Sequence, residues 1–272
     1  MAQAFEDILY DIDGHVATIT INRPDKLNAC TPATMREIEI ALDMAGRDPV
    51  VGVIVFTGAG DRAFCVGADV AKQREGTMGH TGPREFAPPY LTFSQCPKPI
   101  IARVNGFAVG GGNHFAYFCD FTIAAEHAIF SQSEPRVAFP ASGPVISYLV
   151  RVVGHKRARE MWMLGRKYSA AQMLDWGLVN AVVPMADLDA EVRRWCDELL
   201  AVAPTCLKVF KASFIQEFQD LVGQGDSLRR WIVPDTYRET EQREGTSAFL
   251  EKRKPDYSRF RDDLGQSSGF QS

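Results

Sequence analysis

Two short runs near the N-terminus, ILYDID (residues 8–13) and HVATITI (15–21), alternate apolar and polar positions on either side of Gly14. A side-chain period of two belongs to a half-buried strand, and two such runs joined across a glycine predict a hairpin. The pattern then changes. Thr31 carries a hydroxyl suited to a helix N-cap, and Pro32 is pre-shaped for the first helical position. Met35, Ile38, Leu42 and Ala45 follow at helical spacing as an apolar stripe. VVGVIVFTG (50–58) is apolar almost throughout, as a strand covered on both faces should be. Farther on, KPIIARVNG (98–106) predicts a strand, GGNHFAYFCD (111–120) a helix, and FTIAA (121–125) and AIFSQ (128–132) two more strands. Strand and helix alternating at this spacing give an α/β fold.

Between these regular elements, residues 71–95 mix glycine, proline and charge, which predicts a loop with a short helix, the sort of segment that covers a site. Ser169 and Gln172 form a capping box for a helix that Gly177 ends. From about residue 187 the chain reads as nearly all helix, with Leu188, Val192, Trp195 and Leu199 on one stripe. The helix expected over 236–252, TYRETEQREGTSAFLEK, is so polar that it needs something outside itself to pack on, and a partner subunit is the expectation. These readings divide the chain into a core, residues 1–200, and a helical C-terminal region, residues 201–272, for assembly and completion of the site.

Composition narrows the classes. The sequence has no run of about 18 apolar residues, which argues against a transmembrane helix. The opening MAQAFEDILYDIDGHVATI lacks a basic and an apolar leader segment, which argues against secretion. Six scattered cysteines without a CxxC pair suit a reducing, cytoplasmic setting better than a disulfide framework or a zinc site. His15, His80, His114, His127 and His155 show no ligand spacing with one another, so no metal is expected. A net charge of −4 disfavours nucleic acid as a partner, and any anionic ligand must be held by local groups.

Two glycine-containing turns carry the chemistry. One is Phe64-Cys65-Val66-Gly67-Ala68-Asp69; the other is Val109-Gly110-Gly111-Gly112-Asn113, opening a helix. Glycines at a helix start expose backbone N–H groups and admit a ligand closely, so two such groups from separate turns can grip one oxygen as it gains charge. The plainer reading is that these glycines serve turns and packing. GAGDRA (58–63) fits a dinucleotide-binding pattern, but a second turn follows it where that fold would run into a long helix. A cysteine hydrolase built on Cys65 and His114 lacks an acidic orienter, and no GxSxG elbow is present.

AFCVGAD, NGFAVGGG, CDFTIAAEHAIFSQSE and AFLEKRKPDY, together with NRPDKLNA, resemble segments of the crotonase (enoyl-CoA hydratase/isomerase) superfamily in the family's order and spacing, over roughly residues 5–260. The resemblance implies a ββα spiral core with a C-terminal trimerisation region, a homotrimer or dimer of trimers, and an acyl-CoA substrate with no tightly bound cofactor. By position it implies oxyanion donors at the N–H groups of Ala68 and Gly111. It also implies a coenzyme A loop at Lys26, Leu27 and Ala29, supported by Ala63 and Asp69, and a phosphate-side contact at Lys252 after Phe249, usually from a neighbouring subunit. Hydratases of the family carry two glutamates; here one position holds His114 and the other Glu134, at the end of the FSQSE strand. A carboxylate in an apolar pocket and an imidazole near neutral pH both suit proton transfer.

FCDFTIAAEHAIF, RVVGHKRAREMWMLGRKYSAAQMLDWGLVNAVVPMADLDAEVRRWC and EGTSAFLEKRKPDYSRF resemble most the branch of dihydroxynaphthoyl-CoA synthase and ketocyclohexane-carboxyl-CoA hydrolase. That branch implies ring-closing or ring-opening chemistry with a tyrosine at the position of Tyr237, reaching the acyl group from a neighbour. Its aspartate falls on Ala141, however, Pro144 replaces a glycine, and Glu134 follows the hydratases. Hydration of an enoyl-CoA, cyclic ones included, is therefore the expected reaction; isomerisation, ring chemistry and a non-enzymatic CoA-binding role are the alternatives.

Overall fold

The computed structural model describes residues 4–71, 90–141, 143–214, 237 and 239–260. Most of the stretch at 71–95 and the tail after Asp263 lie outside the described residues. The N-terminal runs form the expected hairpin, β1 (Ile8–Asp13) and β2 (Val16–Ile21), paired antiparallel from Ile8 opposite Ile21 to Asp13 opposite Val16. Gly14 turns it with φ +59°, a left-handed conformation that glycine adopts without a steric penalty. From β2 the sheet continues in parallel through β3 (Val53–Gly58), β5 (Ile100–Val104), β7 (Phe121–Ala125) and β10 (Ala181–Val183). A second sheet orders β4 (Ala63–Cys65), β6 (Phe107–Val109), β8 (Ile129–Ser131) and β9 (Lys167–Ser169). This is the α/β crotonase-like arrangement that the sequence resemblance implies.

Every residue of β3 is buried, because both faces of the large sheet are covered. Ile54 and Phe56 face the main core, which holds Ile38, Leu42 and Ala45 of α1 (Pro32–Arg47). Val53 and Val55 face the other way, onto Leu188, Val192 and Cys196 of α7 (Leu188–Leu200). Cys196 takes a fully buried place on that stripe, while Trp195 and Leu199 are only partly buried at its border. In the main core the ring of Phe56 meets Phe64 of β4, Phe93 of α2 (Tyr90–Gln95) and Phe115 of α3 (Gly111–Phe118), with centroids 5.6, 5.0 and 5.3 Å away. Edge-to-face contacts of this kind add to the gain from burial, and here they join the large sheet to both glycine turns.

The remaining helices follow: α4 (Pro144–Val153), α5 (His155–Leu164), α6 (Ala170–Asp175) with the Ser169–Gln172 capping box, a helix α8 over 204–214, and α9 (Glu241–Leu250). None of the helices among the described residues is long and apolar enough to cross a membrane. On α8 a charged side chain is buried and apolar ones are not. Lys211 donates to Asp120 Oδ2 at 2.6 Å and to the Lys98 carbonyl at 2.7 Å, while Val209, Phe210 and Phe214 are exposed. The expectation that the polar C-terminal helix lacks cover within its own chain is corrected. Gly245, Thr246 and Ala248 of α9 are buried, and the helix rests on the 3-10 turn Glu134–Val137. A methyl group on Gly245 would lie 2.8 Å from the Ala138 Cβ, so the absence of a side chain lets this polar helix dock. The FSQSE segment is also corrected, since β8 stops at Ser131 and Glu134 opens that turn.

The start of α1 shows how the sequence sets a boundary. Thr31 Oγ1 accepts from the Thr34 N–H at 3.2 Å, Thr34 Oγ1 accepts from the Thr31 N–H at 3.0 Å, and Thr31 Oγ1 donates to Asp7 Oδ2 at 3.1 Å. Thr31→Ala should cost about 1–2 kcal/mol. The check is the urea midpoint, which should fall with the slope of the transition unchanged.

Candidate active site

The first turn is held in place by the loop that precedes α1. Cys30 N–H donates to the Gly67 carbonyl at 2.8 Å, and Asp69 N–H donates to the Cys30 carbonyl at 2.9 Å. Cys30 is thus bridged in parallel to Ala68 through the two residues flanking Ala68. In a parallel ladder that leaves the N–H of Ala68 itself on the opposite side. The second turn places Gly111 at the first position of α3, where a backbone N–H has no partner within the helix. The two turns touch: a methyl group on Gly67, whose φ is +85°, would lie 2.9 Å from the Gly111 nitrogen. Among the described residues, neither the Ala68 nor the Gly111 N–H donates a hydrogen bond. Two unused N–H groups on abutting turns can hold one oxygen that gains negative charge.

The three glycines of the second turn differ in what they face. A methyl group on Gly112 would sit 1.9 Å from the Cys65 carbonyl oxygen, so that position is closed by packing. Gly110, at φ +55°, faces Ser133 Oγ and Glu134 Oε1. Gly111 faces only the Gly67 Cα, at 3.4 Å. The packing reading therefore accounts for Gly112, and only Gly111 has room.

Proton-transfer groups converge beside Gly110. His114 Nε2 lies 3.0 Å from Glu134 Oε1, with side-chain exposures of 13% and 8%. The ring nitrogen is close to the carboxylate but not aimed along it, and Glu134 Oε2 is buried without a partner among the described residues. Such pairs commonly tighten only when substrate arrives. The imidazole is flanked by Tyr117 and Trp162, with ring centroids 5.7 and 5.5 Å away. Besides the Tyr257 hydroxyl, three further buried groups lack partners among the described residues, the Trp162 indole N–H and the side-chain amides of Asn113 and Gln132. Sequence reasoning missed all three. Trp162 reads as core on an apolar stripe, and the only available signal was the placement of Asn113 and Gln132 within the family-like segments.

Of the residues that the resemblance links to coenzyme A, the Lys26–Ala29 loop, Ala63 and Asp69 lie at the first turn. Leu27 and Asn28 both adopt left-handed backbone, φ 51° and 56°. Asn28 holds the loop: its amide donates to the Ala59 and Ala63 carbonyls at 3.0 and 2.7 Å and accepts from the Arg23 N–H at 3.1 Å. Arg23 also pairs with Asp69, 3.3 Å away, and donates to the Ala29 carbonyl. Ala63 and Asp69 thus act as struts between the loop and the turn, while Lys26 stands exposed beside them. Phe249 and Lys252 are exposed at the end of α9, Lys252 with φ 54°.

Three of the residues weighed from the sequence have settings that the structure now gives. The Tyr237 hydroxyl, expected at the acyl group of a neighbour's site, donates at 2.7 Å to the Ala138 carbonyl of its own chain. Burial, and then the negative charge of Glu241, push its pKa well above the usual range, so it is a hydrogen-bond donor. Cys65 is fully buried with its sulfur 3.7 Å from that of Cys30, which leaves no exposed nucleophile beside His114. Pro144 in the AFPASG segment has a structural reason, being the first residue of α4 after Gly143 at φ +71°, and Ala141 packs against the core.

A family model described as enoyl-CoA hydratase/isomerase matches residues 11–260. Among solved structures, the chain is similar to an enoyl-CoA hydratase from Mycobacterium avium subsp. paratuberculosis, with 27% identity and a TM-score of 0.78, covering 94% of this chain and 100% of the other. An enoyl-CoA hydratase from Mycobacterium tuberculosis is 32% identical, with a TM-score of 0.68 and coverage of 79% and 91%. A carnitinyl-CoA hydratase from Mycobacterium avium is 28% identical, with a TM-score of 0.73 and coverage of 94% and 100%.

The different surroundings of neighbouring glycines can be tested directly. Gly112→Ala should lose at least about 3 kcal/mol, because its methyl group has only backbone to displace. Gly111→Ala should melt within a few degrees of the wild type. Circular dichroism melting of the two variants is the check.

Proposed function

The chain belongs to the enoyl-CoA hydratase/isomerase family, and on that premise we propose that it hydrates an α,β-unsaturated acyl-CoA and catalyses the reverse dehydration. The observation that carries this reading is the His114–Glu134 pair, 3.0 Å apart, beside the turn that offers the Gly111 N–H. The thioester oxygen accepts hydrogen bonds from Ala68 and Gly111. As water adds to the β-carbon, negative charge moves onto that oxygen, and each donor stabilises it by about 3–4 kcal/mol. Glu134 takes one proton from the water as its oxygen bonds to carbon, and the enolate α-carbon receives a proton from the same acid–base pair. His114 orients the water and passes the proton.

Double-bond isomerisation is the second reading. The imidazole and carboxylate are near enough to act as one relay, and a single relay can lift a proton from one carbon and return it to another. The bond from Tyr237 to the Ala138 carbonyl and the methyl group at position 141 weigh against ring opening or closure. The acyl group is an enoyl chain or ring.

Coenzyme A is bound along the Lys26–Ala29 loop, and Lys252 supplies a cation for its phosphates. The preferred assembly is a homotrimer or dimer of trimers through residues 201–272. The exposed Val209, Phe210 and Phe214 of α8 support it, because such side chains on one short helix gain from burial against a second copy.

Glu134→Gln should lower kcat for enoyl-CoA hydration by about 10²–10⁴ with KM little changed. His114→Gln should follow it for a hydratase. If His114→Gln instead keeps its rate while shifting a double bond, the isomerase reading prevails. Near wild-type turnover in Glu134→Gln removes both. Light scattering at micromolar concentration should give three or six chains; a monomer excludes the assembly. Calorimetry should show weaker binding of dephospho-CoA than of CoA, the difference vanishing in Lys252→Ala.

A further inference from the structure

Glu134 stands on a turn that is gripped on two sides. On one side, Arg136 donates from Nε and Nη2 to the Gly165 carbonyl at 3.1 and 2.9 Å, which ties the turn to the end of α5, the helix of Trp162. On the other side, the turn closes at Ala138, in left-handed backbone at φ 50°, whose N–H donates back to the Glu134 carbonyl. Phe139 N–H reaches the same carbonyl at 2.9 Å. The outward-facing carbonyl of Ala138 takes the Tyr237 hydroxyl at 2.7 Å. The α9 backbone seats directly beneath, since a methyl group on Gly245 would stand 2.8 Å from the Val137 carbonyl carbon and 2.6 Å from the Tyr257 hydroxyl.

We infer that Tyr237 is a positioning residue for the acid–base carboxylate: the C-terminal segment, locked by the Tyr237–Ala138 hydrogen bond and by the seat of Gly245, sets the reach of Glu134 toward His114. The hydroxyl has one proton to donate, and it is given to Ala138. The residue does not leave that bond to act on substrate; it acts on the rate through the turn. The contact is specific in both partners. Tyrosine brings a hydroxyl donor at the end of a rigid ring, and Ala138, a non-glycine residue in left-handed backbone, presents the carbonyl that accepts it. The inference rests on Glu134 being the acid–base group.

A double-mutant cycle tests it on the full chain with an enoyl-CoA substrate. Tyr237→Phe should lower kcat by about 10–100-fold, as a displaced catalytic group does, with KM near the wild-type value and the pH–rate profile shifted. In a Glu134→Gln background the same change should have no further effect, because its target is already gone. Gly245→Ala, which leaves the hydroxyl intact but lifts the helix, should reproduce the Tyr237→Phe profile. An additional loss of rate in the Glu134→Gln background overturns the inference, since Tyr237 then acts on substrate independently. So does a collapse in Tyr237→Phe with normal turnover in Gly245→Ala. Normal turnover in both, with Glu134→Gln collapsed, overturns it alone. Near wild-type turnover in Glu134→Gln overturns the underlying reading, and the inference falls with it. Should Gly245→Ala not fold, the Tyr237–Glu134 cycle decides.

Discussion

One contact between two backbones sets the distance on which the candidate site depends. The carbonyl oxygen of Cys65 occupies the space that a side chain on Gly112 would need. Strand β4 and helix α3 can therefore approach until their main chains meet, closer than any pair of side chains allows. That approach brings Gly67 against Gly111, so that the two turns abut. The aromatic cluster around Phe56 fixes the same geometry from below, because its rings come from β3, β4, α2 and α3 at once. A main-chain contact has no rotamers, so the spacing of the donors is stiff.

The acid–base half is built differently. His114 projects from a buried helix, but Glu134 comes from a short turn with neighbours on every side: Arg136 and Gly165, Ala138 and Tyr237, Gly245 of α9. Side chains on turns answer to small shifts in what packs behind them. The polar C-terminal helix, whose own apolar face is poor, is thus seated on the Glu134 turn of its own chain, with the Tyr237 hydrogen bond just before it.

Much of this was legible in the sequence. The hairpin, the capped start of α1 and the buried β3 follow from periodicity and capping chemistry, which are local. The two glycine turns are visible as motifs, and positional resemblance is what singles out Ala68, Gly111, His114 and Glu134 as candidates. Other features escaped because they depend on distant partners. Nothing local in TYRETEQREGTSAFLEK shows that Gly245 would meet Ala138 or that Tyr237 would find the Ala138 carbonyl, some hundred residues away in sequence. The burial of Lys211 beneath exposed phenylalanines inverts the usual pattern for the same reason, since its acceptors, Asp120 and Lys98, are supplied by the core. The unpartnered Trp162 N–H and Gln132 amide escaped as well, because burial is predictable from composition, whereas the lack of a polar partner is not.

The division between backbone donors and side-chain acid–base groups has a consequence for inheritance. A single codon change can erase a carboxylate or an imidazole, but an N–H survives every substitution except one to proline. At Gly111 that exception is sterically open, because the first position of a helix accepts a proline ring, so proline is the one change there that removes the N–H. Mutation can therefore replace the side chains at 114 and 134 while the backbone N–H groups of both turns persist. The side chains at 114 and 134 can thus vary independently of the two backbone turns, and His114 beside Glu134 is one such combination.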